Sequence, residues 1–365
     1  MEHFEAIRAK LDQYGIDGMM LTEEFNRFYA TGFASTGTDG IALVTKKANY
    51  YFTDSRYTVA AEREVENAAI AITSPDRGYT VLLNEIIEME GLKTLGFDEE
   101  YMTVANHKNY TEKLKCELKG ASKLMTELRT VKDEEEIRRL TKAQRISEKA
   151  LSEIMDFIKP GVTEKEIAAR LQYLMLLYGA EKMSFDPIVV SGPNGAMPHG
   201  VPSDKKVENG EFITMDFGCV ADGYCSDMTR TVALGYVTDE MREVYETVLK
   251  AQLAGIAATE AGKTGKEIDG VARQVIVDAG YGEYFGHGYG HGVGVEVHEM
   301  PGVGSRSTAA LPAGSVASAE PGIYIPGKFG VRIEDVVVVR EGGCDNLALA
   351  PKNLTILCEC PLPQA

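Results

Sequence analysis

Apolar residues recur at helical spacing over residues 2–14, where Phe4, Ile7, Leu11 and Tyr14 share one stripe and Gly15 supplies a stop. Short strand-like runs follow at Met19–Leu21, Ile41–Val44 and Tyr50–Phe52. Ser55 is placed to cap a helix to about Val65, and Ala68–Ile72 reads as a strand. Residues 79–90 read as a helix, Thr94–Phe97 as a strand, and Thr103 as the cap of a helix reaching Leu118. Strands alternating with helices predict an α/β domain with a mainly parallel or mixed sheet. Catalytic residue types do not concentrate here, so this half reads as a scaffold or oligomerisation domain.

The pattern changes near Leu128–Lys132. Asp133 caps a long helix with Ile137, Leu140, Ala143, Ile146 and Ala150 on one stripe, ended by Pro160-Gly161. Thr163 to Glu166 is a capping box opening the next helix. Thr238-Asp-Glu opens a helix to about Gly262, and Thr264 to Glu267 opens another ending near Gly280. Strand and glycine-rich loop run from there to the end. A domain boundary near 128–132 divides the chain into 1–128 and 129–365.

Between the helices of the second half, Ile213 to Arg230 predicts a β-hairpin, because two strand-forming runs flank Asp222-Gly223. Folded about Ala221-Asp222, the chain sets Asp216 opposite Asp227; slipped by one residue, it leaves them diagonal. Cross-strand side chains lie about 5 Å apart at Cβ, and like charges so placed are destabilising. A bound cation would resolve the conflict. Solvation on an edge hairpin would resolve it equally well.

Composition narrows the choice. The chain has 365 residues, 44% of them hydrophobic, enough for two domains each with its own core. A formal net charge of -17 and the absence of a Lys/Arg-rich block argue against nucleic acid. None of the six cysteines forms a CxxC pair. No run approaches membrane-spanning length and the charged start lacks an apolar signal core, so the expectation is a soluble, cytoplasmic protein without membrane partners. The six histidines are few, which makes His199, His287, His291 and His298 in the second half informative.

Beyond the hairpin the acids and imidazoles fall into separate strand-like segments. Gly286 to Glu299 holds His287, His291 and His298 among alternating glycines, which let backbone approach a ligand closely. Glu320-Pro-Gly leads to Tyr324. Arg332 and Glu334 then share a strand face ahead of a run of valines, where a carboxylate is costly unless paired or metal-bound. Asp216, Asp227, Glu320, Glu334 and His291 are thus equipped to hold two divalent metals, and oxygen-rich ligation with one histidine suits Mn, Co, Fe or Zn. Each has a plain structural reading as well: Glu334 paired with Arg332, Glu320 in a turn, His291 in a core.

The ordered set of Asp216, Asp227, His291, Glu320-Pro-Gly and Arg332-Ile-Glu334 resembles the pita-bread-fold dinuclear metallopeptidases, a family that includes methionine aminopeptidase, aminopeptidase P, prolidase and creatinase. Asn26 to Phe33 and Thr53 to Tyr57 resemble the creatinase-type N-terminal domain, and Phe185 to Gly200 fits the proline-peptidase branch. The resemblance implies an α/β N-terminal domain ahead of an α+β pita-bread catalytic domain. It implies two metal ions per subunit, manganese first, then Co, Zn or Fe. Asp216 would chelate one ion, His291 and Glu320 the other, and Asp227 and Glu334 would bridge them. Glu320 would take the proton of the attacking water, His298 would stabilise the oxyanion or hold substrate, and His199 would assist proton transfer or contact the proline side. His287 and Tyr324 would line the pocket or support it, and Arg332 would steady a ligand carboxylate. A homodimer acting on small peptides with proline in second position is the implied assembly and substrate.

Within that branch the residue after His298-Glu-Met-Pro301 is Gly302, where prolidase-like members often carry an arginine that binds the dipeptide carboxylate. This favours an Xaa-Pro aminopeptidase over an Xaa-Pro dipeptidase, with Arg306 as a substitute anchor if the latter holds. Hydrolysis of a non-peptide amide is a third reading, and a pure binding role with an inactive site a fourth.

Overall fold

The computed structural model describes residues 3–37 and 39–361. Glu2, where the first helix was expected to begin, lies outside them; that helix runs Phe4–Tyr14 and ends at Gly15 in the left-handed conformation. The chain divides into two compact units, Met1–Arg129 and Thr130–Ala365.

The first unit is built on a six-stranded mixed sheet. Its strands lie in the order Ala69–Ile72, Asn49–Thr53, Ile41–Thr45, Gly18–Leu21, Thr94–Phe97 and Glu117–Gly120. The central strand pairs antiparallel with Ile41–Thr45 and parallel with Thr94–Phe97. Apolar side chains pack on both faces, Ile7, Leu11 and Met19 in one layer and Leu43, Leu83 and Leu95 in the other. The helix capped by Thr103 stops at Lys113, not Leu118. Leu114 turns extended, and Glu117–Gly120 pairs in parallel with Thr94–Phe97, so sheet pairing overrides the weak helical pattern there. Two short helices lie outside the expected elements, Glu24–Thr31 and Ser122–Thr130. The first is capped by an uncommon residue, Glu23, which accepts from the Phe25 and Asn26 amides. The helix expected from Ser55 begins at Thr58.

The second unit holds two pairs of long helices. Glu134–Phe157 packs with Glu164–Leu177, and Asp239–Ala258 with Gly265–Asp278. Asp133 with Glu136, Thr163 with Glu166, and Thr264 with Glu267 form complete capping boxes, each satisfying otherwise orphaned first-turn amides. Under the helices lie a four-stranded sheet ordered Ile356–Leu357, Met228–Leu234, Glu211–Phe217, Ile188–Ser191, and a five-stranded sheet containing Gly290–Gly292, Val316–Ala319 and Asp335–Arg340. One apolar core joins Leu151, Leu171, Met215 and Val232; another joins Val248, Ile268, Ile323 and Val339. The acids and histidines singled out from sequence lie on the strands and loops of these sheets.

Candidate metal centre

The acidic hairpin forms with its turn at Asp222 (φ 50) and Gly223 (φ 76), the two positive φ angles of a type I′ turn. This register sets Asp216 opposite Thr229. Asp227 therefore falls diagonal to Asp216, the second of the two expected arrangements. Gly218 is obligatory, because a Cβ there would lie 2.0 Å from the Ser226 carbonyl oxygen.

Other strands bring the remaining groups to the same cavity of about 500 Å³, whose lining includes Asp216, Asp227, His291, Glu320, Arg332 and Glu334. Ligand atoms of Asp227, His291 and Glu334 all lie within 4.8 Å of one another. His291 Nε2 is 3.1 Å from Glu320 Oε1 and 3.6 Å from Asp227 Oδ2. Its Nδ1 sits 3.1 Å from the Gly292 carbonyl, a contact that only an N–H can make favourable. The lone pair of a neutral His291 thus faces two carboxylates, an arrangement that requires a proton or a cation between them. Ser318, which sequence reasoning missed, links the pair: its hydroxyl accepts from the His291 amide at 3.0 Å and donates to Glu320 Oε1 at 3.0 Å.

Thr229 was missed as well, although its two-residue spacing from Asp227 on a strand was the available signal. Its hydroxyl donates to Glu334 Oε2 at 2.7 Å and accepts from Arg332 Nε at 3.0 Å. Arg332 forms its ion pair with Asp216 at 2.5 Å, so the plain Arg332–Glu334 pair is not what forms. Its Nη1 donates to Tyr324 Oη at 2.8 Å and to the Pro198 carbonyl at 3.2 Å. Tyr324 Oη is also 2.9 Å from His287 Nε2, while His287 Nδ1 is 2.8 Å from the Gly288 carbonyl. His287 Nδ1 is then the donor, and the Tyr324 hydroxyl donates to Nε2 while accepting from Arg332. Burial lowers the His287 pKa in keeping with that neutral form.

Among the described residues, Asp216 Oδ1 and Glu334 Oε1 are buried oxygens of the site with no hydrogen-bond partner. Burial first, then the neighbouring carboxylates, push Asp227 and Glu334 well above the usual carboxylate range, and burial raises Asp216. Glu320 differs. Burial opposes its ionisation, yet the His291 hydrogen bond and charge hold it at about 2. Burial likewise opposes a charged His291, but Glu320 and Asp227 raise it to about 9. An unsatisfied buried charge is costly. Acid oxygens without donors, grouped round one imidazole, fit divalent cations of the oxygen- and nitrogen-binding kind.

His199 and His298 line the cavity from exposed positions, and the His298 ring lies edge-on to His291 at 4.2 Å between centroids. Burial and the charge on His291 lower the His298 pKa. Arg306, named as a substitute anchor, is exposed and outside the lining. Among the described lining residues the one Lys or Arg is Arg332, already engaged by Asp216, Thr229, Tyr324 and Pro198.

Paired helices over sheets thus bring four carboxylates and an imidazole to one cavity, a donor set that fits divalent cations. The chain belongs to metallopeptidase family M24: the model of that family matches residues 138–341, and the model of the creatinase/prolidase N-terminal domain matches residues 4–131. It is a metallopeptidase of the α/β-plus-pita-bread architecture expected from sequence, and its family implies divalent metal ions. The chain is 36% identical over 354 residues to the Xaa-Pro dipeptidase of Pyrococcus furiosus, covering 97% of this chain and 99% of that one. Among solved structures it is similar to an Xaa-Pro dipeptidase from Bacillus anthracis, at 41% identity and a TM-score of 0.92, covering 97% of this chain and 99% of the other. It is also similar to an X-Pro aminopeptidase from Thermotoga maritima, at 38% identity and a TM-score of 0.91, covering 98% and 100%.

Proposed function

We propose that this protein is an Xaa-Pro dipeptidase, the reading that sequence analysis ranked second. The observation that carries it is the full-length similarity to proteins named Xaa-Pro dipeptidases, at 36% and 41% identity. Asp216, Asp227, His291, Glu320 and Glu334 hold two divalent ions per subunit, with manganese first. When bound, such ions polarise a carbonyl and lower the pKa of water toward neutrality. Glu320, set 3.1 Å from His291 in the cavity wall, accepts the proton of the attacking water. His298, at the rim and poor in protons, donates to the developing oxyanion only from its N–H. His199 holds the proline side. Arg332 orients Asp216, and Tyr324 and His287 orient Arg332. A homodimer in the cytoplasm belongs to the same proposal.

One observation favours an Xaa-Pro aminopeptidase instead: no unengaged Lys or Arg lines the cavity among the described residues, whereas a dipeptide carboxylate calls for a cation. The Thermotoga maritima relative bears that name. A paired assay decides. Manganese-loaded enzyme is given Ala-Pro or Ala-Pro-Ala, with free alanine scored and a chelator control. Chelator-sensitive cleavage of Ala-Pro with little of the tripeptide is the expected result. The reverse preference establishes the aminopeptidase, and cleavage of neither by metal-loaded protein moves the search to non-peptide amides.

A further inference from the structure

The cavity wall that carries His199 is tied down from behind by a carboxylate outside the metal centre. Glu164 is the first residue of the helix Glu164–Leu177 and is 0% exposed. Its Oε1 accepts from the Ser191 amide at 2.7 Å and the Ser191 hydroxyl at 2.8 Å. Its Oε2 accepts from the Ser203 amide at 3.0 Å and the Ser203 hydroxyl at 2.6 Å. Asn194 Nδ2 is 3.2 Å from both oxygens. The backbone joins the clamp, with the Glu164 amide on the Lys205 carbonyl and the Lys165 amide on the Ser203 carbonyl.

All these side-chain donors come from one loop. It leaves the strand Ile188–Ser191 at Ser191 and returns to the same carboxylate at Ser203. Between them, Pro198, His199, Gly200, Val201 and Pro202 line the cavity. The inner side of the loop is held as well. Arg332 Nη1 donates to the Pro198 carbonyl, and Gly195 packs so closely on Gly330 that a Cβ at 330 would lie 1.9 Å from the Gly195 oxygen. Val201, within the wall, is 80% exposed and adds little packing of its own. A buried carboxylate is a costly way to obtain stability, and apolar groups of the same volume often do as well. What a carboxylate does that they do not is fix two distant amides to one point.

We propose that Glu164 is the positioning residue for His199: by closing the loop from Ser191 to Ser203 it sets where the Pro198–Pro202 wall meets the substrate. The proposal rests on the reading of this cavity as the peptidase site. Glu164→Gln keeps the volume but turns one acceptor into a donor that the Ser191 or Ser203 amide cannot use, so its effect is intermediate. Glu164→Ala removes both ends of the clamp.

The test uses the full-length, metal-loaded protein, the peptide it cleaves and the variants Glu164→Ala, His199→Ala and their double. Glu164→Ala is expected to lower kcat/KM by about tenfold or more, the scale of a displacement remote from the chemistry, with bound metal per subunit unchanged. In the His199→Ala background it should cost little further, because the two act through one group. Hydrogen exchange should quicken at residues 192–203 and not in the strand Glu211–Phe217. Full additivity with His199→Ala, or unchanged exchange at 192–203, overturns the proposal. A His199→Ala variant of full activity overturns it as well, even where exchange quickens, because Glu164 then has no working group to position. If Glu164→Ala does not fold, Ser203→Ala and Asn194→Ala enter the same cycle, with smaller losses expected and additivity again fatal.

Discussion

On one side of the strand Asp335–Arg340 the chain has collected donors around a buried acid; on the other it has withheld them. Asp335 accepts from Arg230 Nη2 at 2.8 Å, Lys352 Nζ at 2.7 Å, Asn346 Nδ2 at 2.7 Å and Gln252 Nε2 at 3.1 Å. Burial raises its pKa, but the two cations and these donors prevail and hold it below the usual range. Glu334, one residue earlier and 1% exposed, has Thr229 on one oxygen and, among the described residues, no donor on the other. Burial and three carboxylate neighbours drive its pKa up. Two adjacent acids at equal depth thus follow opposite rules. Both are buried, so what separates the two carboxylates is the supply of donors and the sign of the neighbouring charges.

The largest effect should come from the starved side. Glu334→Gln is expected to lower bound metal per subunit and to cut turnover by several orders of magnitude, because the amide cannot replace an anionic ligand. It should also raise the melting temperature of the chelator-treated protein by a few °C, since a repelled buried carboxylate has been neutralised. A metal-free variant melting below the metal-free parent would break the comparison.

Asp335→Ala should act the other way. It leaves the buried Arg230 and the partly exposed Lys352 without their counter-ion, and the expected loss is about 3–5 kcal/mol in urea unfolding. The folded fraction should still take up metal, because Glu334 keeps its Thr229 bond. A loss under about 1 kcal/mol would mean that the Asp335 network is not the stabilising half of the pair.

The contrast also explains what was legible in the sequence. Asp216, Asp227, His291, Glu320 and Glu334 stood out because strand-like runs, an Asp-Gly turn, alternating glycines and a Pro-Gly pair framed them. The residues that complete or oppose them did not, because nothing local marks them. Arg230 meets Asp335 across 105 positions, and Thr229 meets Glu334 across 105. Glu164 reads as a first-turn helix acid like any other until Ser191 and Ser203 return to it. Long capped helices were readable because their signals lie within one turn. The short helix Glu24–Thr31 and the edge strand Glu117–Gly120 were not, since one depends on a glutamate cap and the other on pairing with Thr94–Phe97. The preference for an aminopeptidase rests on Gly302 alone, a single position, while similarity along the whole chain extends to proteins of both names.

A third buried acid sharpens the rule with the smallest effect. Glu136, 2% exposed, lies between the extremes: the Asp133 amide donates to one oxygen at 2.9 Å and the Tyr224 hydroxyl to the other at 2.9 Å. Burial outweighs these donors and pushes its pKa up to about 7. The folded value exceeds the ordinary 4.5, so between pH 4.5 and about 7 the folded chain keeps a proton that the unfolded chain releases. Stability attributable to Glu136 must therefore fall as pH rises through that window and level off above it, by about 3 kcal/mol at most. Other groups contribute their own slopes, and Glu136→Gln isolates this one. The variant should differ from the parent by an amount that shifts in its favour from about pH 4.5 to about pH 7, measured as urea unfolding free energy. A difference independent of pH would show that these donors suffice to keep a buried carboxylate ionised, and the boundary between the two rules would move toward the starved side.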